Sequence, residues 1–188
     1  MNVFDFDNTI YDGESAIDFF KFYMRRDPSL IKYAPRVMYA LVKYKRGKIS
    51  IEQALNDYGG EVSEYYRRMT STKQTMCEFW DKHEKKIRPF YKQIQREDDL
   101  IISASPEDML EPICKRLGIK YYIGTAMDPD TCQITRLCFR ENKVKAYRDI
   151  YGDTPIDCFY TDSMNDAPLI ELSREAYLVK GDTVKRIK

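Results

Sequence analysis

Asn2-Val3-Phe4-Asp5-Phe6-Asp7-Asn8-Thr9 begins with β-forming residues and runs directly into a polar cluster. A short apolar run that stops at turn-forming residues reads as a buried strand emptying into a loop. Comparable runs recur at Leu100–Ser103, Tyr121–Ile123, Asp157–Tyr160 and Ala176–Val179. Helical stretches separate several of them. In Glu107–Leu117, Ser105 suits the N-cap, Pro106 the first helical position, Glu107 and Asp108 the positive end, and Gly118 the stop. Lys143–Tyr151 reads as another helix, closed by Gly152. Strands alternating with helices predict an α/β fold: a mostly parallel, Rossmann-like sheet flanked by helices on both faces.

One region departs from this rhythm. From Tyr11 to Arg88 the pattern is helical throughout, with breaks expected near Pro28, Gly47 and Gly59-Gly60. The expected organisation is therefore an α/β core of residues 1–10 and 89–188, interrupted by a helical domain over 11–88. Thr131–Phe139 suggests an extra antiparallel hairpin. A chain of 188 residues with 43% hydrophobic content has enough apolar material for a core. Lys and Arg (31) nearly balance Asp and Glu (30), so net charge names no partner. The five cysteines form no CxxC pair and His83 is the only histidine, which speaks against zinc and for reduced thiols. The N-terminus has neither a basic nor an apolar leader pattern, and no apolar run reaches membrane-spanning length. The expectation is a cytoplasmic protein.

Ligands of open α/β sheets bind beyond the carboxyl ends of the strands. Polar groups fall at such places in Asp5–Thr9, at Ser103, at Lys143 opening its helix, and in Asp162-Ser163-Met164-Asn165-Asp166. Taken singly, each has an ordinary explanation: turn chemistry, local capping, a surface charge, a helix cap. Together they place several carboxylates near one another, and a divalent cation is the usual counter-charge.

In this order the DFDNT segment, the serine of Ile101-Ile102-Ser103-Ala104-Ser105, Lys143 and Thr161–Asp166 resemble the four motifs of the haloacid dehalogenase (HAD) superfamily. The helical insertion resembles the C1 cap of the branch (subfamily IB) that contains phosphoserine phosphatase. The resemblance implies a phosphatase with Asp5 as nucleophile and Asp7 as general acid and base. It implies Mg²⁺ held by Asp5, the Asp7 carbonyl and Asp162, with Asp166 supporting the metal site. It further implies that Ser103, Lys143 and the backbone amides of Phe6 and Ala104 bind the phosphoryl oxygens, with Asn165 nearby. Asn8 and Thr161 stand where the family often has glycine.

The cap is expected to choose the substrate, a small phosphorylated metabolite. Glu14 matches a glutamate that contacts the substrate amino group in phosphoserine phosphatases. The carboxylate-binding arginine of those enzymes aligns with Tyr58, which argues against phosphoserine itself and leaves Arg67 or Arg68 as substitutes. Residues 20–50 carry nine Lys/Arg and one acid, Asp27, interleaved with aromatics. On a helical wheel, Val37, Met38, Leu41 and Tyr44 group opposite Arg36, Lys43 and Arg46. The ordinary reading is a cap helix with a solvated basic face; the functional one is contact with an anionic membrane surface. Nucleic acid is not expected, because no binding module or basic net charge accompanies the segment. The competing functions are a lipid-phosphate phosphatase, a phosphotransferase or mutase, and a non-catalytic phosphate-binding regulator. Retention of Asp7 argues against the last.

Overall fold

A computed structural model describes residues 1–188 except 46, 47, 50–52, 54–56, 58, 61, 62, 65 and 69–72. The sheet consists of β1 (Val3–Phe4), β2 (Leu100–Pro106), β3 (Tyr121–Met127), β4 (Ile134–Arg136), β5 (Ile156–Thr161), β6 (Ser173–Lys180) and β7 (Thr183–Arg186). Their order is β4-β3-β2-β1-β5-β6-β7, with β1 central. The pairings from β3 through β6 are parallel; β4 and β7 add antiparallel edges. Around the sheet lie α1 (Ser15–Met24), α2 (Ala34–Lys45), α3 (Lys73–His83), α4 (Pro89–Ile94), α5 (Glu107–Leu117), α6 (Glu141–Tyr151) and α7 (Ala167–Leu172). This is the expected α/β architecture, and β3–β4 is the hairpin read from Thr131–Phe139.

Three local expectations are corrected. The first strand stops at Phe4, because the Phe6 carbonyl accepts hydrogen bonds from the backbone N–H groups of Thr9, Ile10 and Tyr11, which coils the chain. Ser105 is not the cap of α5: it lies within β2, and Pro106 occupies the N-cap position. At Gly59 and Gly60 themselves the backbone is helical rather than broken, and a Cβ at either would meet nothing within 4 Å; residues 58, 61 and 62 beside them lie outside the described residues. The break at Pro28 stands, as a 3₁₀ turn over Pro28–Lys32 with Asp27 capping Ser29 N–H. Arg46, Gly47 and Tyr58 lie outside the described residues, as do the side chains of Val37, Met38, Leu41 and Tyr44.

Two apolar clusters cover the two faces of the sheet. One joins Val3, Leu100, Ile102, Phe159 and Ala176 to Tyr147 and Leu169 from α6 and α7. The other joins Phe4, Phe6 and Ile101 to Phe19, Phe22, Leu30, Met76, Phe79 and Trp80. The helical insertion thus shares one core with the central strand. Trp80, fully buried, packs edge-on against Phe6 and Tyr11 and donates its indole N–H to the Met109 carbonyl at 2.9 Å.

At the amino end of the sheet, Asp99 is buried beside the Tyr91 hydroxyl, which favours its anion. Burial pushes Asp99 up to about 6, against the Arg96 N–H that steadies its anion. A folded-state pKa above the unfolded 3.8 means that the stability from this group is present at low pH and lost as pH rises toward 6. Asp99→Asn therefore raises the melting temperature at pH 8 and flattens its pH dependence between about 4 and 6. Thermal melts across that range check this.

Candidate active site

The sheet order sets β2, β1 and β5 side by side, so the residues at their carboxyl ends converge. Asp5 leaves β1 with its N–H donated to the Tyr160 carbonyl at 2.9 Å, next to the Thr161-Asp162 end of β5. Ser103 lies buried midway along β2, directly after the Leu100–Ile102 run that pairs in register with β3. Lys143, the third residue of α6, reaches in from the helix side and is also buried.

Lys143 Nζ donates to Asp5 Oδ1 at 2.7 Å and to Asp166 Oδ2 at 2.9 Å. Burial alone would depress the ammonium, but the two facing carboxylates outweigh it and hold Lys143 above its ordinary pKa. Thr9 Oγ1 donates to the other Asp5 oxygen at 3.1 Å, and Thr161 Oγ1 donates to Asp166 Oδ2 at 2.9 Å. Thr161, standing where glycine is frequent, thus supplies a hydroxyl to the ion pair. The sequence offered no signal for that role. Asp5 is pushed up to about 7 by burial, with Asp166 and Asp7 adding to it and Lys143 opposing.

Asp7 is held differently. Its Oδ1 accepts the Ser15 N–H at 2.7 Å, its Oδ2 accepts the Ser105 hydroxyl at 2.7 Å, and the two serine hydroxyls lie 2.9 Å apart. Burial raises the Asp7 pKa, the two serines oppose it, and the nearby Glu14 charge adds to it. Asn8 makes this geometry possible. At φ 59 it occupies the left-handed region that asparagine tolerates, and its N–H bonds to the Gly13 carbonyl, folding the loop back so that Ser15 meets Asp7. Ser105 escapes sequence reading because its partner lies 98 residues away, and Ser15 because only the folded loop returns it to Asp7. Charge-assisted hydrogen bonds are worth about 1.5–3 kcal/mol. Ser105→Ala should therefore lower the melting temperature by about 3–12 °C at pH 8, where Asp7 loses a donor to its anion, which thermal melts will show.

The remaining expected residues are more peripheral. Ser103 Oγ accepts the Ser105 N–H at 3.0 Å. Asp162 is half-buried; burial raises its pKa, which Lys180 opposes, and Lys180 Nζ donates to the Asp162 carbonyl. Glu14 is exposed and accepts the Asn8 amide at 3.0 Å. Asn165 is exposed, with its N–H on Ser163 Oγ. The Phe6 side chain belongs to the core, whereas Ala104 is exposed. Arg67 and Arg68 both bond to Glu64.

The four aspartates proposed around a metal do not form one side-chain cage. Among the described residues no three His, Cys, Asp or Glu side chains are grouped to hold an ion. Asp7 turns its carboxylate to the two serines, and Asp166 turns Oδ2 to Lys143 and Thr161. The donor set still fits Mg²⁺, which takes oxygen ligands from one or two carboxylates and keeps several waters. Asp5, Asp7 and Asp162 all have raised pKa values, chiefly because burial strips water from each carboxylate, a cost that a bound cation would offset. A cavity of about 510 Å³ lies elsewhere, lined by Tyr66, Asp108, Glu111, Asp128 and Cys132 among others. Its acids outnumber its single lysine, Lys115, so it does not suit a phosphate ester.

A family model described as haloacid dehalogenase-like hydrolase matches residues 3–171. A probable phosphatase of Mycobacterium tuberculosis is 30% identical over 93 residues, a match that takes in 45% of this chain and only 32% of that relative. Among solved structures, a protein of unknown function from Bordetella pertussis Tohama I aligns with a TM-score of 0.72 and 21% identity, covering 94% of this chain and 87% of that one. A phosphoserine phosphohydrolase-like protein from Francisella tularensis subsp. tularensis SCHU S4 aligns at 0.58 and 20%, covering 94% and 86%. At these identities the structural likenesses speak to the fold. The family match begins at the first residue of β1 and ends in α7, so the whole strand-end site lies inside it, and the chain belongs to the haloacid dehalogenase-like hydrolase family.

Proposed function

We propose that the protein is a Mg²⁺-dependent phosphomonoesterase that forms an aspartyl-phosphate on Asp5. The observation that carries this reading is the buried Asp5–Lys143–Asp166 array at the end of the central strand, with Asp7 separately clamped two residues on. A carboxylate paired to a fixed ammonium in a nearly dry site is oriented for attack and neutralised as a phosphoryl group approaches. In the first step an Asp5 oxygen bonds to phosphorus, the ester P–O bond breaks, and the leaving alcohol takes a proton from Asp7. In the second, Asp7 takes a proton from water, which attacks phosphorus and breaks the bond to Asp5. The raised pKa of Asp7 suits a group that must give and regain a proton near neutrality.

Lys143, the Ser103 hydroxyl and the N–H groups of Phe6 and Ala104 are assigned to the phosphoryl oxygens. Asp5, Asp162 and the Asp7 carbonyl would hold Mg²⁺, which supplies charge neutralisation between the two anions. Asp166 is assigned to fixing Lys143, and Glu14 to the leaving group of a small phosphorylated metabolite. Residues 11–88 act as a cap. Because Phe19, Phe22, Leu30, Met76, Phe79 and Trp80 share a core with Phe4 and Phe6, these parts of the insertion are held against the central strand.

p-Nitrophenyl phosphate tests the reaction. Hydrolysis should appear with Mg²⁺, vanish with a chelator and return when the metal is restored. Undiminished turnover in chelator would overturn the metal requirement, and no turnover under any condition would overturn the reading.

A further inference from the structure

The outer face of α2 sets exposed apolar and aromatic side chains among cations. Pro35, Arg36, Tyr39 and Val42 are exposed and Lys43 is partly so, at spacings of one, four, seven and eight residues from Pro35, which is one helical stripe. Tyr39 is 54% exposed and Val42 39% exposed, and in the preceding 3₁₀ turn Ile31 is 62% exposed. Single exposed apolar residues are common. Here they lie among cations: Lys32 in the turn, with Arg36 and Lys43 on the stripe. The Lys43 ammonium sits 4.5 Å over the Tyr39 ring, and that of Lys32 4.9 Å over Tyr33. Along the sequence, residues 20–50 hold nine Lys/Arg against Asp27 alone, of which Lys21 and Arg26 pair with Asp18 and Glu78. None of these residues belongs to the strand-end site.

Charge and chemistry together narrow what such a face can meet. A second copy of the chain would bring the same basic face to an isologous contact, like charge against like. A nucleic acid would engage the cations but has no use for Ile31 and Val42. An anionic bilayer takes both: its headgroups attract Lys and Arg, and its interfacial zone accepts aliphatic and tyrosyl side chains while the lysine stems reach outward. We infer that the 3₁₀ turn and the outer face of α2 form a docking surface for an anionic lipid bilayer. Ile31, Tyr39 and Val42 enter the interface, while Lys32, Arg36 and Lys43 meet headgroup phosphates. Peripheral contact is the form this takes, since no helix among the described residues is long and apolar enough to cross a membrane. The inference is independent of the catalytic proposal.

Co-sedimentation of the full chain with mixed phosphatidylcholine–phosphatidylglycerol vesicles, against pure phosphatidylcholine, tests it. Retention on the anionic vesicles at low salt, fading as salt rises, is expected. Each basic residue removed should weaken partitioning about fivefold, the factor set by ~1 kcal/mol per cation near the surface. Arg36→Gln with Lys43→Gln therefore loses about 25-fold. Tyr39→Ser with Val42→Ser should lose affinity on the same vesicles while keeping the salt dependence. Circular-dichroism melts, unchanged from wild type, show that these variants fold. Absence of retention at low salt overturns the proposal, as does equal binding by folded variants. Two further results would also overturn it: a dimer in solution that Tyr39→Ser dissociates, and binding to a soluble polyanion as tight as to vesicles and indifferent to Tyr39→Ser.

Discussion

Asp5→Asn is expected to lower kcat for p-nitrophenyl phosphate by on the order of 10⁴ or more, while the protein stays folded. The amide preserves the shape of the side chain and its place beside Lys143, but it cannot form an acyl phosphate. The stability side follows from the sign of the Asp5 shift. Its folded-state pKa of about 7 lies above the ordinary 3.8, so the group favours folding at low pH, and that contribution is lost as pH rises to about 7. Above that, the ionised carboxylate in metal-free protein is the costly form, and Asn removes it. Lys143 keeps Asp166 as its partner. In metal-free buffer at pH 8 the variant should therefore melt no lower than wild type. Mg²⁺-dependent turnover close to wild type would place the nucleophile elsewhere, and loss of turnover accompanied by unfolding would leave the assignment without support.

Lys143→Met carries the largest expected cost in stability. Methionine has nearly the volume of lysine, so packing is kept while the ammonium disappears. The Lys143 and Asp5 side chains are 4% and 9% exposed, and that of Asp166 is 8% exposed, so water cannot replace the lost partner. Removing one member of a buried ion pair costs about 3–5 kcal/mol, or a melting temperature lower by roughly 6–20 °C for a chain of this size. The deficit has a pH signature. In the variant, Asp5 loses the ammonium that opposes its burial and must either remain a desolvated anion or take up a proton, and proton uptake becomes easier as pH falls. The difference from wild type should thus be greater at pH 8 than at pH 5. Where the variant is folded, kcat should also fall about 10²- to 10³-fold, through lost charge stabilisation of the transferring phosphoryl group. A melting temperature within experimental error of wild type at pH 8 would show that the array contributes no net stability.

Much of the fold was legible along the chain because it is written in local periodicity. Short apolar runs ending in polar turns marked β1, β2, β3, β5 and β6, and the cap's helical pattern holds at its described residues. Strand β7 was not read: every residue of Thr183–Arg186 is exposed, so it carries no burial pattern, and it pairs because the turn at Gly181 returns it to β6. The first strand was read too long because the turn after Phe4 is set by backbone hydrogen bonds to the Phe6 carbonyl, which have no residue signature.

The site divides along the same line. Placement at predicted strand ends, together with the resemblance to the four family motifs, picked out Asp5, Asp7, Ser103, Lys143, Asp162 and Asp166. What sequence could not supply was the pairing within that set. Lys143 bonds to Asp5 and Asp166, 138 and 23 residues away; Asp7 bonds to Ser15 and Ser105; Thr161 turns its hydroxyl to Asp166. Hydrogen bonds and desolvation act over a few ångströms in space, irrespective of distance along the chain, and so only the folded arrangement decides which carboxylate is neutralised, which is clamped and which is stripped of water.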